Sequence, residues 1–240
     1  MTSPALTIGI GFEQREALGY HVLAHSILSR ASIPVRIIPI KLSMLGALYT
    51  RPRDPRASNE FTYSRFLLPY LCDYEGVSVF MDSDILCRVD IAELLALNDP
   101  FAWVHVVKHD YVPKDDVKYL GNVQHAYPRK NWSSVMMFNN YLCRKLTPTY
   151  VNTASPAELH RFAWCEDRRI SELPVEWNHL VGEYDPNPNA KLVHFTNGLP
   201  RWYPNCEFSA QWHAEVDHAT HIESWQPTRA YGDRQHKETA

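Results

Sequence analysis

Runs of apolar residues recur along the chain and alternate with amphipathic or polar stretches. Ala5–Phe12, Pro34–Ile40 and Val77–Met81 are mostly apolar runs with β-branched residues, and they predict three strands. The third run, VSVFM, is apolar on both faces, which is typical of a strand buried inside a parallel sheet. Three shorter runs predict later strands at Ala102–Val107, Ser134–Asn139 and Lys191–Phe195.

Helical patterns fill the spaces between these strands. Arg15–Arg30 places its apolar residues near one face, and Phe61–Leu71 predicts a second helix that is interrupted near its proline. Ser155 and Glu158 form a capping-box pattern at the start of a third helix. Because strands and helices alternate, the chain is predicted to fold as an α/β protein with a mostly parallel central sheet flanked by helices.

Length and composition fit one domain. The chain has 240 residues, 45% of them apolar, which is enough for a sizeable core, and it shows no internal repeat. We assign the domain to residues 1–216 and a polar C-terminal tail to residues 217–240. The net charge of −3 gives no indication of nucleic acid or an anionic membrane as a partner.

Three features of the sequence predict a cytoplasmic enzyme. No uninterrupted apolar run approaches the roughly 18 residues of a membrane span, so no span is predicted. The first residues lack the basic and apolar regions of a signal peptide. The five cysteines are scattered and form no C-x-x-C pair, which favours reduced thiols.

Two aspartates separated by one serine follow the third predicted strand. Ligands of open α/β sheets bind beyond the carboxyl ends of the strands, and Asp82 and Asp84 lie at such an end. On an extended backbone both carboxylates point the same way, and they repel each other unless a cation separates them. The motif is therefore a candidate Mg²⁺, Mn²⁺ or Ca²⁺ site. The alternative is a turn in which Ser83 or Asp84 bonds to local backbone.

Several further blocks follow in a fixed order between Thr7 and Trp202, and together they carry a family resemblance. They read TIGIGFEQREALGYHVLAHSI, EFTYSRFLLPYL followed by VFMDSDILCRVDIAEL, NWSSVMMFNN, RRISELPVEWNHLVGEY and KLVHFTNGLPRW. In these blocks the chain resembles the nucleotide-sugar glycosyltransferases of the GT-A fold, especially family 8 and related bacterial D-x-D enzymes. The resemblance implies a single Rossmann-like GT-A domain.

The same resemblance implies the cofactor and the substrates. His194 would be a third metal ligand beside Asp82 and Asp84. One imidazole with two carboxylates suits Mn²⁺ better than Mg²⁺, which is the alternative cofactor. The donor would be a nucleoside diphosphate sugar, with a UDP-sugar favoured, and the acceptor an unknown carbohydrate, lipid or protein. Because family 8 members retain the sugar's configuration, a retaining transfer is expected.

Matching the blocks residue by residue also implies a donor site. Phe12 and Arg15 would hold the base and ribose, Arg65 and Arg201 would add positive charge at the pyrophosphate, and Gly198 would let backbone N–H groups approach it. The family's late block usually carries a lysine before its proline and tryptophan. In this chain the basic residue is Arg201, which follows Pro200. The full set of implied donor-binding residues is Gly11, Phe12, Arg15, Arg65, Ser83, Asn131, Ser133, Ser134, Gly198 and Arg201.

The catalytic carboxylate and the reaction class leave alternatives. Glu166 and Asp167 occupy roughly the position of the family's acidic site near the reacting carbon, and Glu183 and Asp185 are weaker candidates. The residues are also compatible with two other functions. One is a metal-dependent nucleotidyltransferase or phosphohydrolase on a GT-A-related scaffold, and the other is a non-catalytic carbohydrate-binding protein.

Overall fold

A computed structural model of the chain describes residues 5–55, 57–110 and 128–220. Its strands are β1 Leu6–Gly11, β2 Val35–Ile40, β3 Val77–Met81, β4 Ile85–Cys87, β5 Val104–Val106, β6 Val135–Asn139, β7 Ile170–Glu172, β8 His179–Leu180 and β9 Leu192–His194. The central sheet has six strands in the order β2-β1-β3-β6-β5-β7. Its β6 is antiparallel to both neighbours, while the other neighbouring pairs are parallel. The prediction of an α/β fold with a mostly parallel sheet is confirmed.

A small second sheet joins the middle of the chain to its late part. Its order is β4-β9-β8, and β4 runs antiparallel to β9. This pairing sets Ile85 opposite His194, and the backbone N–H of Phe195 donates to the carbonyl of Asp84 at 2.9 Å. The late strand predicted from KLVHF is therefore present, but it belongs to this second sheet. Its pairing carries His194 to the end of β3.

Helices cover both faces of the central sheet. They are α1 Ala17–Leu28, α2 Leu42–Leu45, α3 Leu68–Leu71, α4 Ala92–Leu95, α5 Pro148–Thr153, α6 Pro156–His160 and α7 Ser209–Thr220. A 3-10 turn precedes α1, and another precedes α3, so Pro69 sits in the first turn of α3 and does not interrupt a longer helix. The capping box is confirmed, since Ser155 and Glu158 exchange side-chain-to-backbone hydrogen bonds.

Side chains on β3 alternate between two apolar clusters. Val79 and Met81 pack with Ile8, Ile10 and α1 residues on one face of the sheet. Phe80 packs on the other face, with side chains from α3, α5 and α6. The side chains of Val79, Phe80 and Met81 are all fully buried. The strand thus has the two-sided burial that its composition predicts, and its end is a rigid place from which to present polar groups.

The last described helix, α7, continues past the predicted domain boundary. It packs against α1, where the buried Glu215 contacts His25 and lies 2.7 Å from an Arg30 nitrogen. The boundary predicted after residue 216 falls inside this helix, and residues 221–240 lie outside the described ranges. No helix within those ranges is both long enough and apolar enough to cross a membrane.

Candidate functional site

Three side chains converge where β3 ends. Asp82, Asp84 and His194 each offer one ligand atom, and these atoms all lie within 4.8 Å of one another. The Nε2 atom of His194 is 3.3 Å from an Asp84 carboxylate oxygen. The sequence separates His194 from the two aspartates, and the pairing of β4 with β9 brings them together. Two carboxylates and an imidazole in this arrangement could hold a divalent cation.

The serine between the two aspartates faces the opposite way. Ser83 is fully buried, and its hydroxyl donates to Glu16 at 3.2 Å, whereas Asp82 and Asp84 line an open cleft. Ser83 and Asp84 lie in a turn between β3 and β4, so the two carboxylates reach the cleft without the extended backbone on which the prediction rested. The turn of the alternative interpretation is therefore present, but the Ser83 hydroxyl bonds outside it and anchors the motif to Glu16 at the start of α1.

Arg65 is the buried counter-ion of Asp82. One guanidinium nitrogen lies 2.8 Å from the Asp82 carboxylate and also donates to the backbone carbonyl of Ser133 at 2.8 Å. The guanidinium lies over the rings of Phe61 and Phe80, with its central carbon 5.4 and 4.9 Å from the ring centroids. The Arg65 side chain is 5% exposed. This burial excludes a surface role for the arginine, and its ion pair is with Asp82 of the D-x-D motif.

Two buried glutamates, Glu13 and Glu16, lie next to the D-x-D motif. Burial, together with the charges of Asp84 and Glu13, raises the pKa of Glu16 to about 8. Burial also raises the pKa of Glu13, whose carboxylate accepts a hydrogen bond from the Glu60 backbone N–H. Sequence reasoning missed Glu16 because an acid at a helix start has an ordinary structural explanation. Its position just beyond the carboxyl end of β1 was the available signal.

A cleft of about 520 Å³ contains the three convergent side chains. Of the donor-binding residues predicted from the sequence, it is also lined by Arg65, Asn131, Ser133 and Ser134. Further lining side chains come from the segment before α3 and from α6, among them Asn59, Tyr63 and His160. His160 bonds to the Ser133 hydroxyl at 2.8 Å, and burial lowers its pKa to about 3. The cleft therefore combines a charged group of metal-ligand type with hydroxyl, amide and aromatic groups.

The other predicted donor-binding residues do not line this cleft. Phe12 is half-buried and packs edge-on against Tyr20, and the exposed Arg15 is 3.7 Å from Glu13. Gly11 faces Phe61 so closely that a Cβ there would meet the ring at 2.4 Å. The remaining predicted donor-binding residues are the fully buried Ser83, the buried Gly198 with a φ of 130°, and the exposed Arg201.

Glu166 and Asp167 are on the outer surface. Their side chains are 58% and 79% exposed, and they pair with Arg168 at 2.6 Å and Arg129 at 2.7 Å. Neither residue lines the cleft. The hydrogen bond and charge of Arg168 lower the pKa of Glu166, which makes this carboxylate a weaker base. The structure does not bring the two predicted catalytic carboxylates to the convergent group.

Known structures with the same architecture are glycosyltransferases. The chain matches the bifunctional glycosyltransferase WbbM with a TM-score of 0.58 and 17% identity, covering 88% of this chain and 49% of the other, so it spans about half of WbbM. It matches the galactosyltransferase LgtC with a TM-score of 0.57 and 12% identity, over 91% of this chain and 98% of LgtC. GlyE of Streptococcus pneumoniae matches with a TM-score of 0.55 and 11% identity, over 89% of this chain and 60% of GlyE. These likenesses confirm the GT-A fold.

Sequence comparison adds one informative relative. No protein-family model matches the chain. Protein CDI of Arabidopsis thaliana is 45% identical over 222 residues, which are 88% of this chain and 85% of that protein. Identity at this level over most of both chains is far above that of the structural neighbours. The chain thus has the fold of the GT-A glycosyltransferases and belongs to the same family as Protein CDI of Arabidopsis thaliana.

Proposed function

We propose that the protein is a divalent-cation-dependent glycosyltransferase that takes a sugar from a nucleoside diphosphate sugar. The observation that carries the proposal is the convergence of Asp82, Asp84 and His194 in the cleft of a GT-A fold. The donor favoured is a UDP-sugar, the cation Mn²⁺ with Mg²⁺ as the alternative, and the transfer retaining. The acceptor would be a carbohydrate, lipid or protein.

The residues present fit a cation. Their donor set is two carboxylates and one imidazole, a combination that suits Mn²⁺. Burial and the charge of Asp84 raise the pKa of the neighbouring Glu16 to about 8, so without a cation this end of the cleft favours a proton on that carboxyl group. A cation bound by the three side chains would supply positive charge for the diphosphate and make it a better leaving group.

Residues around the three ligands would orient the donor. Arg65 holds Asp82 in place through its ion pair, so we assign it a positioning role. Ser133 and Asn131 offer hydroxyl and amide groups to sugar hydroxyls inside the cleft. Ser134 supports Asn131, because its hydroxyl donates to the Asn131 carbonyl at 2.6 Å. Asn131 itself has a left-handed backbone, with a φ of 61°.

Groups near the edge of the cleft would bind the nucleotide. Phe12 follows β1 and offers a ring face to a base, with Lys41 4.8 Å from its centroid. Arg201 would approach the diphosphate from the loop after β9, and Gly198 permits the backbone there to turn. A retaining transfer can use an oxygen of the departing phosphate as its base, so the exposed Glu166 and Asp167 are not required for it.

The cysteines support the cellular location proposed from the sequence. All five are free thiols in the structure. Free thiols are the usual state of cysteines in a reducing compartment. We therefore propose a cytoplasmic location.

Incubation of the purified protein with a panel of nucleotide sugars tests the proposed function. We expect slow release of the nucleoside diphosphate from one donor, with UDP-sugars first, in the presence of Mn²⁺ and none in excess chelator. Release of inorganic phosphate or pyrophosphate would instead indicate a phosphohydrolase or nucleotidyltransferase. Binding of a sugar with no turnover of any donor would indicate a carbohydrate-binding protein.

A further inference from the structure

A buried hydrogen-bond chain stands behind the proposed metal ligand His194. The Nδ1 atom of His194 lies 3.0 Å from the side-chain oxygen of Asn178. Its other nitrogen, Nε2, faces Asp84. Asn178 is fully buried and His194 is 2% exposed, so water does not compete for these contacts. The tautomer of His194 therefore depends on whether its Nδ1 atom meets the amide oxygen or the amide nitrogen of Asn178.

The neighbours of Asn178 decide how its amide is oriented. The amide nitrogen lies 2.8 Å from the hydroxyl of Ser134 and 3.3 Å from the backbone carbonyl of Asn131. A carbonyl can only accept, and the Ser134 hydroxyl already donates its proton to that same carbonyl at 2.6 Å. Both neighbours thus accept from Asn178, and they share one of its two amide protons because the other meets His109. The amide nitrogen must face them, and the amide oxygen must face His194.

This orientation fixes the tautomer of two histidines. The Asn178 oxygen can only accept, so the neutral His194 ring carries its proton on Nδ1 and keeps a lone pair on Nε2. On the other side, the Asn178 amide also donates to Nε2 of His109 at 2.9 Å. His109 then has its proton on Nδ1, where it meets the Tyr184 hydroxyl at 2.8 Å. Burial lowers the pKa of His109 to about 3, which keeps that ring neutral.

The opposite tautomer of His194 would use up two of the ligand atoms of the site. With its proton on Nε2, His194 would donate to the Asp84 oxygen 3.3 Å away, and neither group would be ready for a cation. We infer that Asn178 is a positioning residue that holds His194 as the Nδ1–H tautomer and so presents the Nε2 lone pair beside Asp82 and Asp84. This inference rests on the proposed metal-dependent function, but the tautomer it names exists without metal.

Nitrogen-15 NMR of the metal-free full chain reads the tautomer directly. With labelled histidine at about pH 8, where an ordinary imidazole is neutral, the His194 signals are assigned by their loss in His194→Gln. We expect a protonated Nδ1 and an unprotonated Nε2 in the wild-type protein, and a larger fraction of Nε2–H in Asn178→Leu. A wild-type His194 with its proton on Nε2 would overturn the inference, whether or not the protein is a glycosyltransferase.

Calorimetry with Mn²⁺ alone measures the consequence for the site. Asn178→Leu should weaken Mn²⁺ binding by about 10–100-fold, the usual effect of removing a partner of a metal-binding histidine. Asn140→Leu is the matched control. Asn140 is equally buried and makes comparable bonds, to Ser78 at 2.6 Å and to the Glu75 carbonyl at 2.7 Å, but it does not line the cleft. It should leave Mn²⁺ affinity within about twofold of wild type, since its bonds are remote from the ligands.

A conservative variant separates positioning from a general loss of stability. Asn178→Asp keeps an acceptor for the Nδ1 proton of His194, yet it buries a charge. We expect Asn178→Asp to bind Mn²⁺ more tightly than Asn178→Leu and to keep the Nδ1–H tautomer of His194. We do not expect it to be more stable than Asn178→Leu, because it buries a charge. Equal Mn²⁺ affinity in wild type and Asn178→Leu would contradict the inference. If Asn178→Leu does not fold, the inference is still tested by the tautomer of His194 in the wild-type protein and in Asn178→Asp. A wild-type protein that binds no Mn²⁺ would instead count against the proposed function.

Discussion

Asp84→Asn is expected to reduce Mn²⁺-dependent release of nucleoside diphosphate by at least about 100-fold. Replacing a partner of a metal ligand already costs about 10–100-fold, and Asp84 is itself a proposed ligand. The substitution keeps the side-chain volume and leaves the Asp84 carbonyl bonded to the Phe195 N–H. Donor hydrolysis in Mn²⁺ and in chelator, with circular dichroism beside it, measures the effect. Turnover equal to wild type would contradict the role of Asp84.

The same variant should be more stable than wild type in the absence of metal. Asp84 raises the pKa of Glu16, so removing its charge relieves repulsion in a buried acidic group. Single stabilising substitutions commonly contribute about 0.5–2 kcal/mol, and we expect a gain of that size here. Asp217→Asn on the exposed face of α7 is the control, and we expect it to change neither activity nor stability. A destabilised Asp84→Asn would mean that the carboxylate serves the fold.

The stability of the metal-free protein should also depend on pH in a defined way. The folded pKa of Glu16, about 8, lies above its ordinary value of 4.5, so the folded state binds the proton more tightly than the unfolded state. The contribution of Glu16 is therefore fully present below about pH 4.5 and is lost as pH rises toward about 8. In Asp84→Asn this loss should be smaller. Urea denaturation across that range tests the sign.

Arg65→Met should cost stability as well as activity. The variant keeps most of the side-chain volume but leaves the carboxylate of Asp82 without its guanidinium partner, and that carboxylate is only 13% exposed. Removing one member of a buried ion pair typically costs about 3–5 kcal/mol. Activity should fall too, because Asp82 would no longer be held toward Asp84 and His194. Urea denaturation and donor hydrolysis measure the two effects separately.

A double-mutant cycle identifies the cause of that loss. Adding Asp82→Asn to Arg65→Met removes the charge that has lost its guanidinium, so part of the stability should return while activity stays lost. Asp82→Asn alone keeps Arg65 bonded to the Ser133 carbonyl and should destabilise less than Arg65→Met. If Arg65→Met is as stable as wild type, the ion pair is not a structural element of the site.

The parts of the fold that follow from local pattern were predictable. VSVFM has the composition of a buried strand and is one, and the Ser155–Glu158 capping box starts α6 as expected. The D-x-D spacing predicted two carboxylates facing one way, and both line the cleft, although Ser83 and Asp84 lie in a turn and not on an extended backbone. Local pattern does not encode strand direction. The reversal of β6 and the separate β4-β9-β8 sheet depend on pairings between distant segments.

The parts of the site that sequence reasoning missed act through tertiary contacts. Glu16 and Asn178 are ordinary polar residues in the sequence, and only burial beside Ser83 and His194 gives them a role. Arg65 was predicted at the phosphates, but the fold places its guanidinium against Asp82. Glu166 and Asp167 were predicted from the position of the family's acidic site, but the fold places both side chains on the surface, in ion pairs with Arg168 and Arg129.

Calorimetric binding of UDP with and without Mn²⁺ tests the central proposal most directly. If Asp82, Asp84 and His194 hold a cation that meets a diphosphate, each ligand must tighten the other by the same factor. We expect weak UDP binding in chelator, binding at least about fivefold tighter with Mn²⁺, and loss of that difference in Asp84→Asn. UDP binding of equal strength with Mn²⁺ and with chelator would contradict a metal-centred diphosphate site.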